Sequence, residues 1–401
     1  MQSSGRLHYV DALRVGAFLF LILYHSSVAF FPDLTWLIQS SDTSALLSEI
    51  MKFPRAWRLA LLFFVSGMGT YFAFRSHSSV QFLYERLARL FIPLIFAMCV
   101  IVVPQVWYER MYEDGYHGSL GAFWLTRYFT EGKYPTGNFT WAHMWFVGYL
   151  LVMTVLCYPL FQVLLQPRFR RVGEAFEATA RSAGIYLLFL LPLALNLALS
   201  PLFPRQTNAL YNDGAWFAAW TAWFGLGFLV AKHHRAVIGS IVEQRWTSTV
   251  LALLLTVVLY HYSWRIGTAH PIGDYENMTV LYKTLLFALA WSMILTLVGF
   301  AARHLDRSNA TVTWLNRKIF PLYIVHQTII VAALFYILPM EGSVGAKYGA
   351  VLTMTLVGSL AFSIAAEWLP WPLRALTGLP EKPVPAPVSD VSAGGLATRS
   401  G

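Results

Sequence analysis

Three ionisable side chains lie in the first long apolar stretch of the chain, where charge is unexpected. Asp11, Arg14 and His25 occur within the segment DALRVGAFLFLILYH. In an α-helix, eleven residues advance about 20° past three full turns, so Arg14 and His25 point the same way, ~16 Å apart along the axis. Asp11 lies three residues before Arg14, within reach of an ion pair on nearly the same face. One stripe of this helix therefore carries a carboxylate, a guanidinium and an imidazole.

Two interpretations of this stripe remain open from its spacing alone. A charge at bilayer depth costs roughly 2.5–3.5 kcal/mol, which is why such residues often have a function. The unperturbed pKa of histidine lies near neutrality, so His25 could accept a proton from a hydroxyl, as a general base does. In the alternative interpretation, Arg14 extends to the membrane surface and His25 only bonds a neighbouring helix.

A second candidate is the arginine pair Arg86 and Arg89, just before the third apolar stretch. A spacing of three places both residues on one side of a helix start. Two guanidinium groups there could bind phosphates through bidentate hydrogen bonds. Because positive charges commonly flank membrane helices, spacing alone favours that simpler explanation.

Other polar residues have structural explanations when taken singly. His143 precedes the fourth apolar stretch, and His326 lies within the ninth. Each is more often a hydrogen-bonded buried histidine than a catalyst. The pair Ser66-Gly67 in the second stretch favours close approach of two helices.

The composition of the whole chain indicates whether these residues lie in a membrane or in a water-soluble protein. The 401 residues are 57% hydrophobic and only 12% charged, and the mean hydropathy is +0.54. These values exclude a soluble enzyme, a disordered protein and a fibrous repeat. The formal charge of +9 would suggest nucleic acid in a soluble protein, but here the charges lie between apolar runs and indicate membrane topology instead. Cys99 and Cys157 are predicted to pack, and two cysteines are too few for a metal site, so we expect no bound metal.

Ten apolar stretches are long enough to cross a bilayer, which requires ~20 residues each. They are continuous rather than alternating, which indicates helices and not barrel strands. We therefore predict an all-α membrane protein, with one transmembrane domain over residues 1–379 and a disordered tail over 380–401. The predicted spans are 12–31, 56–74, 90–107, 144–165, 183–203, 215–231, 246–264, 280–302, 319–339 and 348–369.

The distribution of lysine and arginine predicts that both termini are cytoplasmic. Most of the 29 basic residues then fall on the inner side, while Lys52, Arg55, Arg58 and Arg127 remain outside. The outer segment near 108–143 is rich in aromatic residues. Aromatic faces suit sugar rings, but they also collect at the membrane interface, which is the explanation we favour.

Four motifs, taken together and in order, resemble the signature of the acyltransferase-3 family of membrane O-acyltransferases. They are Arg14 followed by His25, Phe63-Phe64-Val65-Ser66-Gly67, Arg86-Leu87-Ala88-Arg89, and Tyr323-Ile324-Val325-His326. The resemblance extends from about residue 8 to 370. Each motif alone is weak, whereas the ordered set is fairly specific.

The resemblance implies that an acyl group moves from cytoplasmic acyl-CoA to a hydroxyl of a periplasmic or cell-surface glycan, in a bacterial inner membrane. It implies that His25 is the catalytic base and Arg14 its essential partner. Arg86 and Arg89 would bind the phosphates of coenzyme A. Further residues that would line the site are Asp11, Ser66, His143, Trp145, Tyr323 and His326. Acyl-CoA would be a co-substrate, and the resemblance implies no permanently bound cofactor.

Within the family, the segment His143-Met144-Trp145-Phe146 is most similar to the branch whose members succinylate periplasmic glucans. Two features depart from the usual pattern. Residues 143–165 contain no Asp or Glu, where many members have an acidic residue, and Gln327 follows His326 where that branch often has a second histidine. Two other functions remain as alternatives. One is a carrier that flips a glycan or lipid-linked intermediate without chemistry, and the other is a sensory or scaffolding membrane protein.

Overall fold

The computed structural model describes residues 7–76 and 78–379, and within them the predicted all-helical architecture is confirmed. The predicted tail over 380–401 lies outside the described residues. The helices, in chain order, are α1 His8–Ser27, α2 Ala45–Ser76, α3 Ser79–Phe96, α4 Val103–Glu113, α5 Leu120–Phe123, α6 Trp145–Leu164, α7 Arg170–Ala180, α8 Leu190–Leu199, α9 Gly214–Lys232, α10 His234–Glu243, α11 Arg245–Leu259, α12 Val280–His304, α13 Ala310–Ile337, α14 Val344–Ala366 and α15 Trp371–Leu376.

Among the described residues, nine helices are long and apolar enough to cross a membrane, and ten if one bent pair counts as a span. The bent pair replaces the predicted fifth span: Pro167–Ala180 and Ala183–Leu199 meet at an angle of 99°. The second span also begins earlier than the predicted residue 56, because α2 starts at Ala45 and continues through Pro54. Apolarity alone marks where a helix meets lipid, and it misses polar turns that are covered by protein.

Two glycines allow the main helix pair of the bundle to approach closely. A Cβ added to Gly67 of α2 would lie 1.9 Å from the carbonyl oxygen of Phe224 in α9. A Cβ added to Gly227 of α9 would lie 1.9 Å from the carbonyl oxygen of Phe64. Small residues at helix interfaces let backbones pack directly, as membrane helices require. The role predicted for Ser66-Gly67 in close helix approach is therefore confirmed at Gly67.

Helix α1 packs against α2, α12, α13 and α14. Its first turn is held by Tyr9, whose hydroxyl lies 2.9 Å from Nε2 of His234 and whose backbone N–H donates to Asp306 at 3.4 Å. Because protein surrounds much of α1, its polar stripe faces other helices instead of lipid. This placement is what brings the candidate residues into one site.

Candidate active site

A large cavity of about 1420 Å³ runs through the helical bundle. Arg14, Arg86 and Arg89 line one end, which we call the Arg14 end. Arg205 and Glu276 line the other, which we call the Arg205 end. Seven of the predicted site residues contribute to its wall in addition to Arg14: His25, Ser66, Arg86, Arg89, His143, Trp145 and Tyr323. One cavity therefore brings together residues that are far apart in the sequence.

At the Arg14 end, three helices meet at one glycine. The guanidinium of Arg14 packs so closely on Gly69 of α2 that an added Cβ would lie 2.2 Å from its Nη2 atom. From α3, Nη2 of Arg86 donates to the carbonyl oxygen of Gly69 at 3.2 Å. Arg89 lies one turn further along α3, on the same side of the cavity. The structure thus gathers the three predicted arginines into one cationic cluster, which suits a phosphate-bearing ligand.

Near the middle of the cavity, His25 of α1 meets His326 of α13. Nδ1 of His25 lies 3.0 Å from Nε2 of His326, and the two rings stack at an interplanar angle of 11°. Nδ1 of His326 lies 2.6 Å from the carbonyl oxygen of Tyr323. His326 is fully buried and lies behind the cavity wall, whereas His25 lines the cavity. The two motif histidines are therefore direct partners.

His143, at the start of α6, completes the cluster. Its Nε2 lies 2.9 Å from the carbonyl oxygen of Ile324, and Nε2 of Gln105 donates to its Nδ1 at 3.4 Å. The hydroxyl of Tyr323 donates to the backbone carbonyl of His143. His143 is thus held on both ring nitrogens, which indicates a positioning role.

The hydrogen bonds select one histidine of the three as a base. A carbonyl oxygen only accepts, so Nδ1 of His326 carries a proton and, in the neutral ring, Nε2 accepts from Nδ1–H of His25. Both nitrogens of His143 are occupied in the same way. Nε2 of His25 is then the ring nitrogen of this cluster that keeps a lone pair for chemistry. A hydrogen bond to the second nitrogen also fixes the tautomer and orientation of a histidine.

Two arginines of α2 line the same cavity and were not predicted as site residues. Arg58 has only 5% of its surface exposed, and its guanidinium lies 3.6 Å from the centroid of the Tyr24 ring. Its Nε and Nη1 have no hydrogen-bond partner among the described residues. Arg55 lies 3.7 Å from the Tyr275 ring centroid. Next to His25, the structure therefore holds a buried positive charge with unused donors.

From the sequence, Arg55 and Arg58 count only as basic residues of the outer side, although Arg58 lies within the predicted span 56–74. Since α2 begins at Ala45, they belong to the helix and share a face with Ser66. Helical spacing from an earlier start would have identified this stripe.

A short segment at the Arg205 end is held by Asp213, just before α9. Its buried carboxylate accepts the Tyr149 hydroxyl at 2.5 Å and the backbone N–H groups of Thr207 and Asn208 at 3.2 Å. Burial raises the pKa of the Asp213 carboxyl, which these hydrogen bonds partly offset. Asn208 lines the cavity here, so Asp213 shapes the entrance without facing it.

Two predicted residues take less direct positions. Asp11 accepts a hydrogen bond from Nδ2 of Asn316 at 2.8 Å, and it is Asn316 that lines the cavity. Ser66 lines the cavity, while its hydroxyl donates to the carbonyl oxygen of Leu62 within its own helix at 2.7 Å. Asp11 therefore supports the wall at the Arg14 end, and Ser66 contributes a small polar surface between Arg14 and His25.

Comparison with known proteins identifies the family of the chain. Residues 7–368 match the acyltransferase-3 family model, described as an acyltransferase domain. The chain is 26% identical over 361 residues to glucans biosynthesis protein C of Escherichia coli O139:H28 (strain E24377A / ETEC), covering 84% of this chain and 85% of the relative. It is 24% identical over 354 residues to glucans biosynthesis protein C of Escherichia coli (strain K12), with the same coverage. No solved structure matches the chain.

Proposed function

Because this chain belongs to the acyltransferase-3 family and is an integral membrane acyltransferase, we propose that it moves an acyl group from cytoplasmic acyl-CoA to a hydroxyl of a periplasmic or cell-surface glycan. The observation that carries the proposal is the single cavity linking the arginine cluster of Arg14, Arg86 and Arg89 to His25. The arginines suit the phosphates of coenzyme A, and His25 suits a hydroxyl.

The reaction follows from the free nitrogen of His25. Nε2 accepts the proton of the glycan hydroxyl while its oxygen attacks the thioester carbonyl carbon. The C–O bond forms, the C–S bond breaks, and the thiolate leaves with the proton that His25 returns. His326 holds His25 in the reactive tautomer. The charge of Arg14 lies on the side from which the acyl donor enters. No electrons are exchanged, and the products are an ester and free coenzyme A.

We further propose that the acceptor is a glucan and that the acyl group is succinyl. The named relatives are glucan biosynthesis proteins, which supports a glucan acceptor. Arg58 supports an acyl group that carries one free carboxylate, because its buried guanidinium lies against the ring of Tyr24, the residue before His25, and its Nε and Nη1 have no hydrogen-bond partner among the described residues. An unpaired buried charge is costly, and a carboxylate on the bound acyl group would pair with it.

In the proposed orientation, the protein spans the inner membrane of a bacterium and the Arg14 end of the cavity opens to the cytoplasm. The bias of basic residues supports this, with both chain ends on the cytoplasmic side. Acyl-CoA then enters at the Arg14 end, and the glycan approaches from the Arg205 end. Both substrates reach one site, so no carrier step is needed.

The test is acyl transfer by the purified full chain in lipid nanodiscs. Wild-type protein should release free thiol from succinyl-CoA only when glucan is present, and mass spectrometry should detect the ester. His25→Ala should abolish both signals, while His261→Ala, at an exposed histidine, should retain them. Transport of glucan without thiol release would instead support the carrier function.

A further inference from the structure

A second, smaller cavity of about 340 Å³ lies on the other side of His143 from the main cavity. The wall between them is polar, since Gln105 lines the smaller cavity and donates to His143, which lines the larger. Gln327 also lines the smaller cavity and donates to Oε1 of Gln105 at 3.3 Å. Trp36, Glu109, Glu113 and Tyr134 also line it.

Glu109 is the unusual member of this wall. It has only 3% of its surface exposed, and its Oε1 accepts the Tyr134 hydroxyl at 2.7 Å. Its Oε2 has no hydrogen-bond partner among the described residues. Burying an unpaired oxygen costs free energy, and the cost is larger for a carboxylate. Oε2 is therefore expected to accept a hydrogen bond from another group.

The surroundings do not supply that donor. No lysine or arginine is among the described residues that line this cavity. The neighbouring Arg110 is engaged with Asn138, Gly137 and Asp114. Oε2 of Glu109 is therefore left to accept a hydrogen bond from a ligand in this cavity.

Two kinds of ligand are rich in donors or positive charge: a metal cation and a polyhydroxyl compound. The cavity is far larger than one ion, and Glu109 and Glu113 are the two carboxylates that line it. Calcium usually takes six to eight oxygen ligands at close range, a denser arrangement than this wall offers. A sugar ring fits better, because its hydroxyls donate to carboxylates while its apolar face packs on an aromatic ring.

We propose that this cavity is an accessory glycan subsite that binds one neutral sugar unit. Glu109 and Glu113 accept its hydroxyls, and Trp36 supplies the aromatic face. The inference rests on the proposed function for its choice of ligand, a hexose unit of the acceptor. A long glucan could then be held close to His143, one side chain away from the reacting centre.

The test uses the full chain in nanodiscs and two acceptors, a neutral glucose hexasaccharide and methyl glucoside. Glu109→Gln keeps the shape and an acceptor for Tyr134 but replaces the unpartnered oxygen with an amide group that donates. We expect it to weaken equilibrium binding of the hexasaccharide about 10-fold and to raise its KM similarly, with kcat unchanged. The KM of methyl glucoside should not change, because a single sugar uses the main cavity.

Glu341→Gln, at an exposed carboxylate, is the matched control and should behave as wild type. Trp36→Phe keeps an aromatic ring and should give a smaller, several-fold loss of hexasaccharide binding, which tests the subsite if Glu109→Gln fails to accumulate. Hexasaccharide binding equal to wild type in both variants overturns the subsite, whatever the activity. Binding that depends on Glu109 in a protein without acyl transfer would uphold the subsite and refute the proposed function.

Discussion

Nδ1 of His25 lies 3.0 Å from Nε2 of His326, although the two residues are 301 positions apart in the chain. His326 is in turn held by the carbonyl oxygen of Tyr323 at 2.6 Å. The first and thirteenth helices thus share one hydrogen-bonded pair. The pair orients His25 and leaves its Nε2 available to a substrate in the cavity.

Replacing His326 with alanine should therefore lower kcat by roughly 10²–10³-fold, within the range attributed to general-base catalysis. His25 remains present but loses its tautomer and orientation. The KM of acyl-CoA should change little, because the arginine cluster is untouched. Steady-state kinetics on purified protein, with His261→Ala alongside, measure the effect. A variant with normal kcat would show that His25 needs no such partner.

The pair Arg86 and Arg89 should govern donor affinity. Converting both to glutamine should raise the KM of acyl-CoA at least about 100-fold, since two charge-assisted bonds are lost, each worth about 1.5–3 kcal/mol, and about 1.4 kcal/mol corresponds to a tenfold change. An acyl-pantetheine donor without the nucleotide phosphates should be insensitive to the change. Arg171→Gln, at an exposed arginine, provides the comparison. Equal losses with both donors would mean that the arginines do not bind phosphate.

Gly69 should be a sensitive position that affects activity more than stability. A methyl group there would lie 2.2 Å from Nη2 of Arg14, and the flexible guanidinium would move aside. Since misplacement by 1 Å costs roughly 10²-fold in rate, Gly69→Ala should show a loss of that order with near-normal melting. Gly16→Ala, where the added methyl meets open space, should remain active. Full activity of Gly69→Ala would argue against a role for Arg14 at this position.

Arg58 should decide between acyl groups. Arg58→Gln should reduce kcat/KM for succinyl-CoA about 10-fold more than for acetyl-CoA, because only succinyl carries a carboxylate for the guanidinium. Arg58→Lys, which keeps the charge, should recover part of the preference. An equal loss with the two donors would assign Arg58 to the oxyanion of the reaction instead.

Gly227 should control folding rather than catalysis. An alanine methyl there would lie 1.9 Å from the rigid backbone oxygen of Phe64, which cannot move as a side chain does. Gly227→Ala should destabilise the bundle by about 1–3 kcal/mol or prevent accumulation. Gly225→Ala, on the same helix with nothing near its added methyl, should melt like wild type. Thermal unfolding in detergent compares the two variants.

The sequence alone determined the class of the protein and predicted which residues share a helix face. The length of each apolar stretch predicts a membrane helix, because each segment must satisfy its own backbone hydrogen bonds in lipid. Helical periodicity places Arg14 and His25 on one face, because that geometry needs only neighbouring residues. The spacing of Arg86 and Arg89 follows from the same local rule.

Tertiary structure decided which of these faces meet. Nothing local to His326 states that it contacts His25, and the partner of Asp11 is Asn316 on a distant helix. The sequence places Arg58 near the outer end of the second helix, but only the packing of the bundle buries it in the cavity wall. Periodicity assigns a side chain to a face of its own helix, but only the packing of helices decides whether that face meets lipid, a partner or a cavity.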